Sequence, residues 1–351
     1  MSKIRVFSDY HHEDLFFSLQ LLFEQRLDWQ LFRPVGLEWY EEGYWHVYNH
    51  IDTARQYLAL DHRYQPSDGS LPLNPKFKEV SDNIGNWWEI DDFIHETKQK
   101  AVTLNQFKAM KFDIIIASIP AHIAPFKKLI SLYQPQAKLI IQAGNHFNYN
   151  FTEFNNLMAS ANFINLPSHI NYVSYHQEIP KVDFIPVTNP LMVRGYVHYF
   201  PRTNDYNFYQ GLKKQLPEYT FESYGAGCEN GPIGGFKKMI ESVQGTGFGL
   251  HFKPGGDGFG HVIHTFFAVG RSPIVIKKYY SDKLAEPLLI DGDTCLVIDD
   301  KTVLEAEQYI RRFSKIEEVN RLGFNAYLRF QKIVNYDNEE IKIRKFLENL
   351  K

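Results

Sequence analysis

Hydrophobic positions along the chain form short apolar runs that alternate with stretches in which apolar residues recur at helical spacing. Short runs predict β-strands, and apolar residues three and four positions apart predict helices. The predicted strands of the first half are 3–8, 29–32, 112–117, 138–142 and a weak one at 163–166. The predicted helices of this half are 14–23, 123–133 and 151–161. Such alternation is typical of a parallel sheet with helices on both faces.

The alternation starts again after a proline-containing stretch at 180–201, which places a predicted domain boundary near residue 188. The predicted strands of the second half are 194–199, 219–224, 247–252, 273–276 and one within 288–299. The predicted helices are 206–216, 236–242, 303–313, 316–330 and 339–350, with one more between 261 and Gly270. A chain of 351 residues has room for two cores. We therefore expect two doubly wound α/β domains, 1–187 and 188–330, and a C-terminal helix in 331–351.

The stretch 36–94 does not follow the alternation and contains four of the five tryptophans. A structureless loop of this length is uncommon in a compact domain, so we expect an aromatic-rich insertion with some helix at 53–60. Trp39 and Trp45 offer ring faces on which a sugar or another flat acceptor can stack. The alternative is a small core beneath a long loop.

The most informative segment is 251–275, where a strand leads into a loop with glycines at 255, 256, 258 and 260. A helical pattern follows and ends at Gly270. Glycine lets the backbone approach a ligand closely, and a helix start presents N–H groups and the positive end of the helix dipole. This arrangement suits an anion, most often a phosphate. Neither the P-loop nor the GxGxxG motif is present, so the segment is not a standard nucleotide fingerprint.

Two motifs in this segment resemble the GT-B glycosyltransferases. They are Asp-Gly-Phe-Gly at 257–260, which opens a helix in that family, and Ala-Val-Gly-Arg-Ser-Pro-Ile-Val at 268–275. The stretch 291–300 is similar to a later strand of the family, and the resemblance covers about 245–313. It implies two Rossmann-like domains facing a central cleft. It also implies a transferase whose second domain binds a nucleotide-diphosphate sugar, such as a UDP-sugar, as donor substrate without another cofactor.

The resemblance also implies which residues bind the donor. Asp257 and Thr265 stand where retaining members of the family carry two glutamates, which meet the sugar and the ribose. Asp257 can also cap the helix, and Thr265 would bind a ribose less strongly than a carboxylate does. Lys253 and Arg202 are the best substitutes for the cations that clamp the diphosphate, although Lys253 also fits a solvated strand end. The full predicted donor set is Arg202, Tyr224, Gly225, Lys253, Gly255, Gly256, Asp257, Gly258, Phe259, Gly260, His261 and Thr265.

Tyr224 and Gly225 lie where a nucleotide base packs in the GT-B architecture, but they also fit an ordinary turn at a strand end. His261 and His264 share a helix face, and we expect His261 near the donor and His264 in the core. We predict no metal site, because no carboxylate or cysteine joins the histidines at ligand spacing, and the Asp-Gly-Asp at 291–293 falls in a predicted turn.

Candidate catalytic residues follow the first predicted strand, where a doubly wound sheet has its ligand-binding edge. Inverting glycosyl transfer needs a base for the acceptor hydroxyl, and a histidine oriented by a carboxylate suits this. His11 or His12 with Asp14 or Asp9 is the candidate group. A retaining enzyme would not need this base. The alternative is that the acidic residues are first-turn helix charges.

The predicted acceptor side adds Asn145 and His146, which follow the strand 138–142, to Trp39 and Trp45. Loops at that end of a sheet often carry function. The net charge of −3 indicates neither a nucleic-acid nor an anionic-membrane footprint, although a local basic groove remains compatible with it. Two cysteines and no long apolar run favour a cytoplasmic protein without a membrane span.

The sequence therefore predicts a glycosyltransferase that moves a sugar to an unidentified acceptor, which is a carbohydrate, a nucleic acid or a small molecule. A nucleotide-sugar epimerase on the same fold is one alternative. The other is a binding protein that has lost catalysis, as the two missing glutamates allow. The sugar, the stereochemical course and the oligomeric state stay open.

Overall fold

The structure is a computed structural model that describes residues 3–9, 13–34, 38–44, 101–145, 148–197, 204–224, 228–231, 233, 235–253 and 258–351. Most of the insertion predicted at 36–94, with its helix at 53–60, lies outside these residues. Element labels below number the described elements in chain order. Among the described residues, no helix combines the length and apolar character that a membrane span requires.

The chain divides into two compact units, Met1–Glu178 with Asp337–Lys351 and Ile179–Tyr336. The first unit thus ends about ten residues before the predicted boundary at 187, and the C-terminal helix belongs to it. The physical reason is packing, because Ile343, Phe346 and Leu347 of that helix are buried in the first unit's hydrophobic core.

The first unit contains seven strands in the order β3-β2-β1-β4-β5-β6-β7, and every pair is parallel. The strands are β1 Arg5–Ser8, β2 Gln30–Pro34, β3 Ala101–Val102, β4 Ile114–Ala117, β5 Lys138–Ala143, β6 Asn156–Ala159 and β7 Asn171–Ser174. The helices are α1 Glu13–Gln20, which continues as a π-helix over Leu21–Arg26, α2 Glu38–Glu41, α3 Leu104–Ala109, α4 Pro120–Tyr133 and α10 Tyr336–Glu348. All four residues of β4 and three of the four residues of β1 are buried, as expected of a sheet covered on both faces.

Two predictions for this unit are wrong. The predicted helix at 151–161 contains strand β6, and the predicted strand at 163–166 is a loop before β7. The described residues between β5 and β6 and between β6 and β7 form no helix. Aromatic side chains of these loops pack on one another and on Tyr172 of β7 instead, through edge-to-face ring contacts. The loop aromatics are Tyr149, Phe151, Phe154 and Phe163. The apolar residues that recur at helical spacing in 151–161 therefore belong to a loop and to strand β6.

The second unit contains five parallel strands in the order β12-β11-β10-β8-β9. The strands are β8 Met192–Val197, β9 Thr220–Ser223, β10 Phe248–Phe252, β11 Ser272–Val275 and β12 Leu296–Val297. The helices are α5 Asn204–Gln215, α6 Gly235–Gln244, α7 His261–Val269, α8 Val303–Arg312 and α9 Ile316–Ile333, with 3-10 turns at Lys277–Tyr280 and Glu286–Leu288. This order agrees with the predicted elements to within a few residues at each end.

Both sheets have a point at which the strand order reverses. In the first unit the reversal falls between β1 and β4, and in the second between β8 and β10. Ligands of open α/β sheets bind outside the carboxyl ends of the strands at such a point. The residues after β1 and β4 and those after β8 and β10 are therefore the first places to look for a site.

Candidate functional site

The glycine-rich loop lies at the reversal point of the second sheet. It follows β10, whose five residues are all buried, and Lys253 is the first residue beyond the strand. Arg202 follows the neighbouring strand β8 but lies outside the described residues, as do Gly255, Gly256 and Asp257. The structure thus places Lys253 at the sheet edge where the sequence predicts an anion.

Gly260 connects the loop to helix α7. It adopts a left-handed conformation, φ 76° and ψ 50°, which is open to glycine at little cost. A Cβ at this position would lie 3.3 Å from the Ala285 Cβ and 3.4 Å from the Tyr280 ring. The first intrahelical bond runs from the His264 N–H to the Gly260 carbonyl at 3.0 Å. The preceding N–H groups of the first turn have no acceptor within the helix, which is the property that suits an anion.

Buried side chains hold the start of α7 in place. The rings of Phe259 and His264 are stacked at 4.0 Å between centroids, and both side chains are buried. Nδ1 of His264 lies 3.0 Å from the Gly260 carbonyl oxygen. His264 therefore lies in the core, as expected. His261 is half-buried, with its ring 6.0 Å from that of Phe259.

Thr265 does not lie open to a ligand. Its side chain is fully buried, and its hydroxyl donates a hydrogen bond of 3.0 Å to the His261 carbonyl. The expected bond from Thr265 to a ribose is therefore not supported by this structure. The hydroxyl is instead used inside its own helix, as is common for threonine.

A row of polar and aromatic side chains supports Lys253. Its Nζ lies 5.9 Å from the centre of the Tyr196 ring, and Tyr196 pairs with His251 across β8 and β10. Nδ1 of His251, a fully buried residue, is hydrogen-bonded to the Tyr280 hydroxyl. Since the Tyr280 ring also packs beneath Gly260, one tyrosine braces both the strand and the helix start.

Tyr224 follows β9, next to the reversal point. Its N–H donates to the Gly195 carbonyl at 2.8 Å, and its hydroxyl donates to Glu222 at 3.0 Å. Burial raises the pKa of Tyr224, and the bond to Glu222 raises it further. The ring is half-buried, so one part of it is accessible to a base, while Gly225 lies outside the described residues.

A buried group that the sequence analysis did not predict lies at the reversal point of the first sheet. The Asp9 carboxylate, directly after β1, accepts hydrogen bonds from the Ser118 N–H at 2.8 Å and the Ser118 hydroxyl at 2.6 Å. Its Oδ2 lies 2.5 Å from Nδ1 of His122, at the start of α4. All three side chains are buried. The available signal was that Ser118 directly follows the strand next to β1, and that His122 lies in the first turn of the helix after that strand.

The remaining predicted residues of the first unit divide into three groups. Asp14 lies in the first turn of α1, as the alternative interpretation expects, and its side chain is outside the description. Asn145 lies half-buried after β5, at the predicted edge. Outside the described residues lie His11, His12, His146 and Trp45.

Trp39 is a core residue. It is 1% exposed, stacks on Phe7 at 5.0 Å and donates its indole N–H to the Val102 carbonyl at 3.2 Å. The structure therefore contradicts a stacking surface at Trp39 and places this side chain in the main hydrophobic core of the first unit. Tryptophan buries a large apolar area when its N–H finds a partner, which explains the placement.

The Asp-Gly-Asp sequence forms the predicted turn. Asp291 accepts hydrogen bonds from the Val297 N–H at 2.8 Å and the Tyr309 hydroxyl at 2.6 Å, and Asp293 accepts from Asn325 at 2.7 Å. Both carboxylates are thus used within the protein. Among the described residues, no three histidine, cysteine or acidic side chains come together in an arrangement that fits a metal ion.

Solved structures share this architecture over nearly the whole chain. HepE of Anabaena, solved with UDP, aligns with a TM-score of 0.59 and 9% identity, over 99% of this chain and 100% of that one. The chain has the GT-B fold. Sucrose-phosphate synthase of Thermosynechococcus elongatus aligns over 99% of this chain and 98% of its own, with a TM-score of 0.52 and 10% identity.

The GT-B fold predicted from the motifs at 245–313 is therefore confirmed. A variant of S. aureus TarM in complex with fondaparinux, α-GlcNAc-glycerol and UDP aligns over 66% of this chain, at a TM-score of 0.52 and 10% identity. The aligned part spans 55% of the TarM chain. No protein-family model and no curated protein sequence matches the chain.

Proposed function

We propose that this protein is a glycosyltransferase whose second unit binds a nucleotide-diphosphate sugar and whose first unit binds the acceptor. The observation that carries the proposal is the position of Lys253, the glycine-rich loop and the start of α7 at the reversal point of the second sheet. The structurally similar proteins support a nucleotide-diphosphate sugar as donor, since HepE was solved with UDP and with UDP-glucose. The fold alone does not define an activity, so the site carries the argument.

In the proposed reaction, an acceptor hydroxyl oxygen bonds to the anomeric carbon of the donor sugar. The bond from that carbon to the diphosphate oxygen breaks, and the nucleoside diphosphate leaves with the electron pair. The hydroxyl proton passes to a protein base or to the departing diphosphate. Because negative charge grows on the diphosphate, fixed donors aimed at it lower the barrier. In this chain these donors are Lys253, Arg202 and the backbone N–H groups of 255–261.

Other residues of the second unit complete the proposed donor site. Asp257 accepts hydrogen bonds from sugar hydroxyls, and His261 lies near the donor at the start of the helix. Tyr224 and Gly225 pack against the nucleotide base. Phe259 has a positioning role, because its buried ring stacks on His264 and so fixes the end of the glycine-rich loop.

For an inverting reaction, His11 or His12 is the proposed base, with Asp14 as the orienting carboxylate. Asp9 is a poorer partner for either histidine, because its two oxygens already accept hydrogen bonds from Ser118 and His122. The proposed acceptor residues are Asn145, His146 and Trp45, and Trp39 leaves this set as a core residue.

Two measurements test the proposal. We expect UDP to raise the unfolding temperature, since a ligand at 100 times its dissociation constant stabilises a protein by about 2.7 kcal/mol. We then expect UDP release from UDP-glucose to be accompanied by sugar on an added saccharide acceptor. Failure of every nucleoside diphosphate to stabilise the protein would contradict the proposal. Stabilisation without turnover would indicate the inactive binding protein, and UDP release without a modified acceptor would indicate the epimerase alternative.

A further inference from the structure

A second polar cluster lies at the carboxyl ends of β5, β6 and β7 in the first unit. We call it the amide cluster, and it consists of Gln142, Ser160, Tyr175 and Gln177. The side chain of Gln142 projects from β5, Ser160 directly follows β6, and Tyr175 directly follows β7. None of the four is more than 6% exposed.

Hydrogen bonds connect all four members. Gln142 donates its amide to the Tyr175 hydroxyl at 3.0 Å and to the Ser160 hydroxyl at 3.4 Å. Gln177 donates to the same Ser160 oxygen at 2.8 Å. Burial raises the pKa of Tyr175, so its hydroxyl stays protonated and neutral. The cluster is therefore a set of neutral donors and acceptors.

One buried atom of the cluster lacks a hydrogen-bond partner. It is Oε1 of Gln142, a residue with no exposed surface. An unsatisfied buried amide atom costs about 1–3 kcal/mol, and a bound water or ligand group commonly explains one in a native protein.

The backbone next to the cluster leaves room for such a group. Gly144 follows β5, and a Cβ at this position would meet only Gln177 Nε2 at 3.7 Å and Ser160 Oγ at 3.9 Å, which are ordinary contact distances. Gly144 and Asn145 are half-buried, whereas the cluster beneath them is covered. A ligand group that lies against Gly144 would therefore be within reach of the side chains of Gln177 and Ser160.

The described residues of this edge offer no unpaired charge to a ligand. Of those that follow β5, β6 and β7, at 144–145, 160–164 and 175–178, only His176 and Glu178 have imidazole, carboxylate or cationic side chains. Both are already paired, His176 with Glu339 at 2.5 Å and Glu178 with Arg26 at 2.7 Å. Carboxamides and hydroxyls without a cation suit neutral hydroxyl groups better than phosphates or carboxylates.

We propose that the amide cluster, with Gly144 and Asn145, is an acceptor subsite that selects a neutral, hydroxyl-rich acceptor, that is, a saccharide. The inference rests on the proposed glycosyl transfer. The cluster spans β5 to β7, two strand spacings or about 10 Å, and Gly144 and Asn145 are the half-buried residues through which an acceptor reaches it. Gln142 Oε1 takes its missing hydrogen bond from an acceptor hydroxyl or from a water that the hydroxyl holds.

The test is calorimetric titration of the full chain with maltose, lactose and cellobiose as neutral probes and glucose 6-phosphate as an anionic probe. We expect at least one neutral disaccharide to bind and glucose 6-phosphate to bind more weakly. Gln177→Ala should weaken disaccharide binding roughly fivefold, which corresponds to the loss of one neutral hydrogen bond of about 1 kcal/mol. The titration of UDP should be unchanged in this variant.

A matched control is Gln134→Ala in the same unit. Gln134 is also buried, but its amide is fully used, with bonds to the carbonyls of Phe107 and Met110 and from the Phe112 N–H. We expect this variant to lose stability and to keep disaccharide affinity. Gln142→Leu removes the unsatisfied amide at similar volume, and weaker disaccharide binding in a folded Gln142→Leu protein supports the proposal.

Three results overturn it. Normal disaccharide binding by Gln142→Leu and Gln177→Ala would show that the cluster holds a water only. Equal losses in Gln177→Ala and Gln134→Ala would show a general effect of stability. A wild-type protein that binds UDP but none of the neutral disaccharides would remove the subsite and leave the proposed function intact, whereas failure to bind UDP would count against the proposed function itself.

Discussion

In the proposed donor site, Lys253 takes its role from its place in the sheet. It follows a fully buried strand at the reversal point, and its ammonium lies over the Tyr196 ring. A strand-end lysine elsewhere would be an ordinary solvated cation. Here Lys253 leads into the glycine-rich loop, and the loop leads to the positive end of α7. An anion bound there would meet the lysine charge, the N–H groups of the loop and the helix dipole together.

We predict that Lys253→Ala weakens UDP binding by about 1.5–3 kcal/mol, because a charge-assisted contact to phosphate is lost. That is roughly a 10- to 150-fold change in the dissociation constant, which calorimetry measures directly. Lys315→Ala, at an exposed lysine before α9, is the matched control and should leave UDP affinity unchanged. Equal UDP affinity in Lys253→Ala and wild type would remove Lys253 from the site.

At the residue scale, the sequence indicates candidate chemistry only where the residues of a candidate site are neighbours in the chain. The loop residues from 258 to 261 were recognisable because they are contiguous. The pair of Asp9 and His122 was not recognisable, because more than a hundred positions separate the two residues. They come together only because β1 and β4 are adjacent strands. Burial was equally hard to predict for Thr265 and Trp39, because polar and aromatic side chains fit both a site and a core.

At the scale of an element, helix α7 is the part of the second unit that defines the proposed donor site. Seven of its nine residues, from Ile263 to Val269, are buried, and both ends are glycines in the left-handed conformation. Gly270 approaches Gly323 of α9 so closely that a Cβ on Gly323 would lie 2.6 Å from the Gly270 carbonyl oxygen. This packing fixes the direction of α7. It therefore also fixes the direction of the backbone N–H groups at the start of the helix.

We expect Gly260→Ala to lower the free energy of unfolding by about 1–2 kcal/mol and to weaken UDP binding as well. The first effect is the cost of a left-handed alanine, and the second follows because Ala285 and Tyr280 must shift at the helix start. Chemical unfolding and UDP titration provide the two readouts.

The control for this prediction is Gly292→Ala. Gly292 has a similar φ of 68° in the turn before β12, and a Cβ there meets only ordinary contacts at 3.6 and 3.7 Å. It should lose similar stability and keep its UDP affinity. If both variants lost UDP affinity to the same extent, the effect would come from stability alone, and the start of α7 would have no special role.

Elements were predictable where the apolar pattern has one physical meaning. The strands β1, β4, β5 and β10 were found because buried parallel strands are continuous apolar runs. The helix predicted at 151–161 was wrong because Phe151 and Phe154 belong to an aromatic layer of the loop, whose spacing resembles that of a helix face. Periodicity reports which residues are buried, but not which backbone buries them.

At the scale of the whole molecule, the first unit depends on a helix from the end of the chain. Arg26, at the end of the π-helix, holds Glu178 with two hydrogen bonds of 2.7 Å and Asp337 with one of 2.8 Å. It thereby ties together the points at which the chain leaves and re-enters the first unit. The hydrogen bonds that Arg26 donates to Glu178 raise the pKa of Arg26, although burial opposes this shift.

We predict that Phe346→Ala destabilises the first unit by about 3–5 kcal/mol, the usual cost of removing a buried phenylalanine ring. Ile341→Ala on the same helix is the control and should change stability by less than about 0.5 kcal/mol, because Ile341 is 67% exposed. Denaturant unfolding followed by tryptophan fluorescence reports the difference. Similar unfolding midpoints for the two variants would show that α10 is not part of this core.

The return of the chain at Asp337 has a consequence for biosynthesis. A nascent polypeptide offers residues 179–336 for folding while the first sheet still lacks Ile343, Phe346 and Leu347. Until those residues leave the ribosome, part of the surface that they will cover stays open to water and to chaperones. Protein released before residue 337 should therefore be a preferred substrate for proteolytic quality control, while protein that contains α10 escapes it.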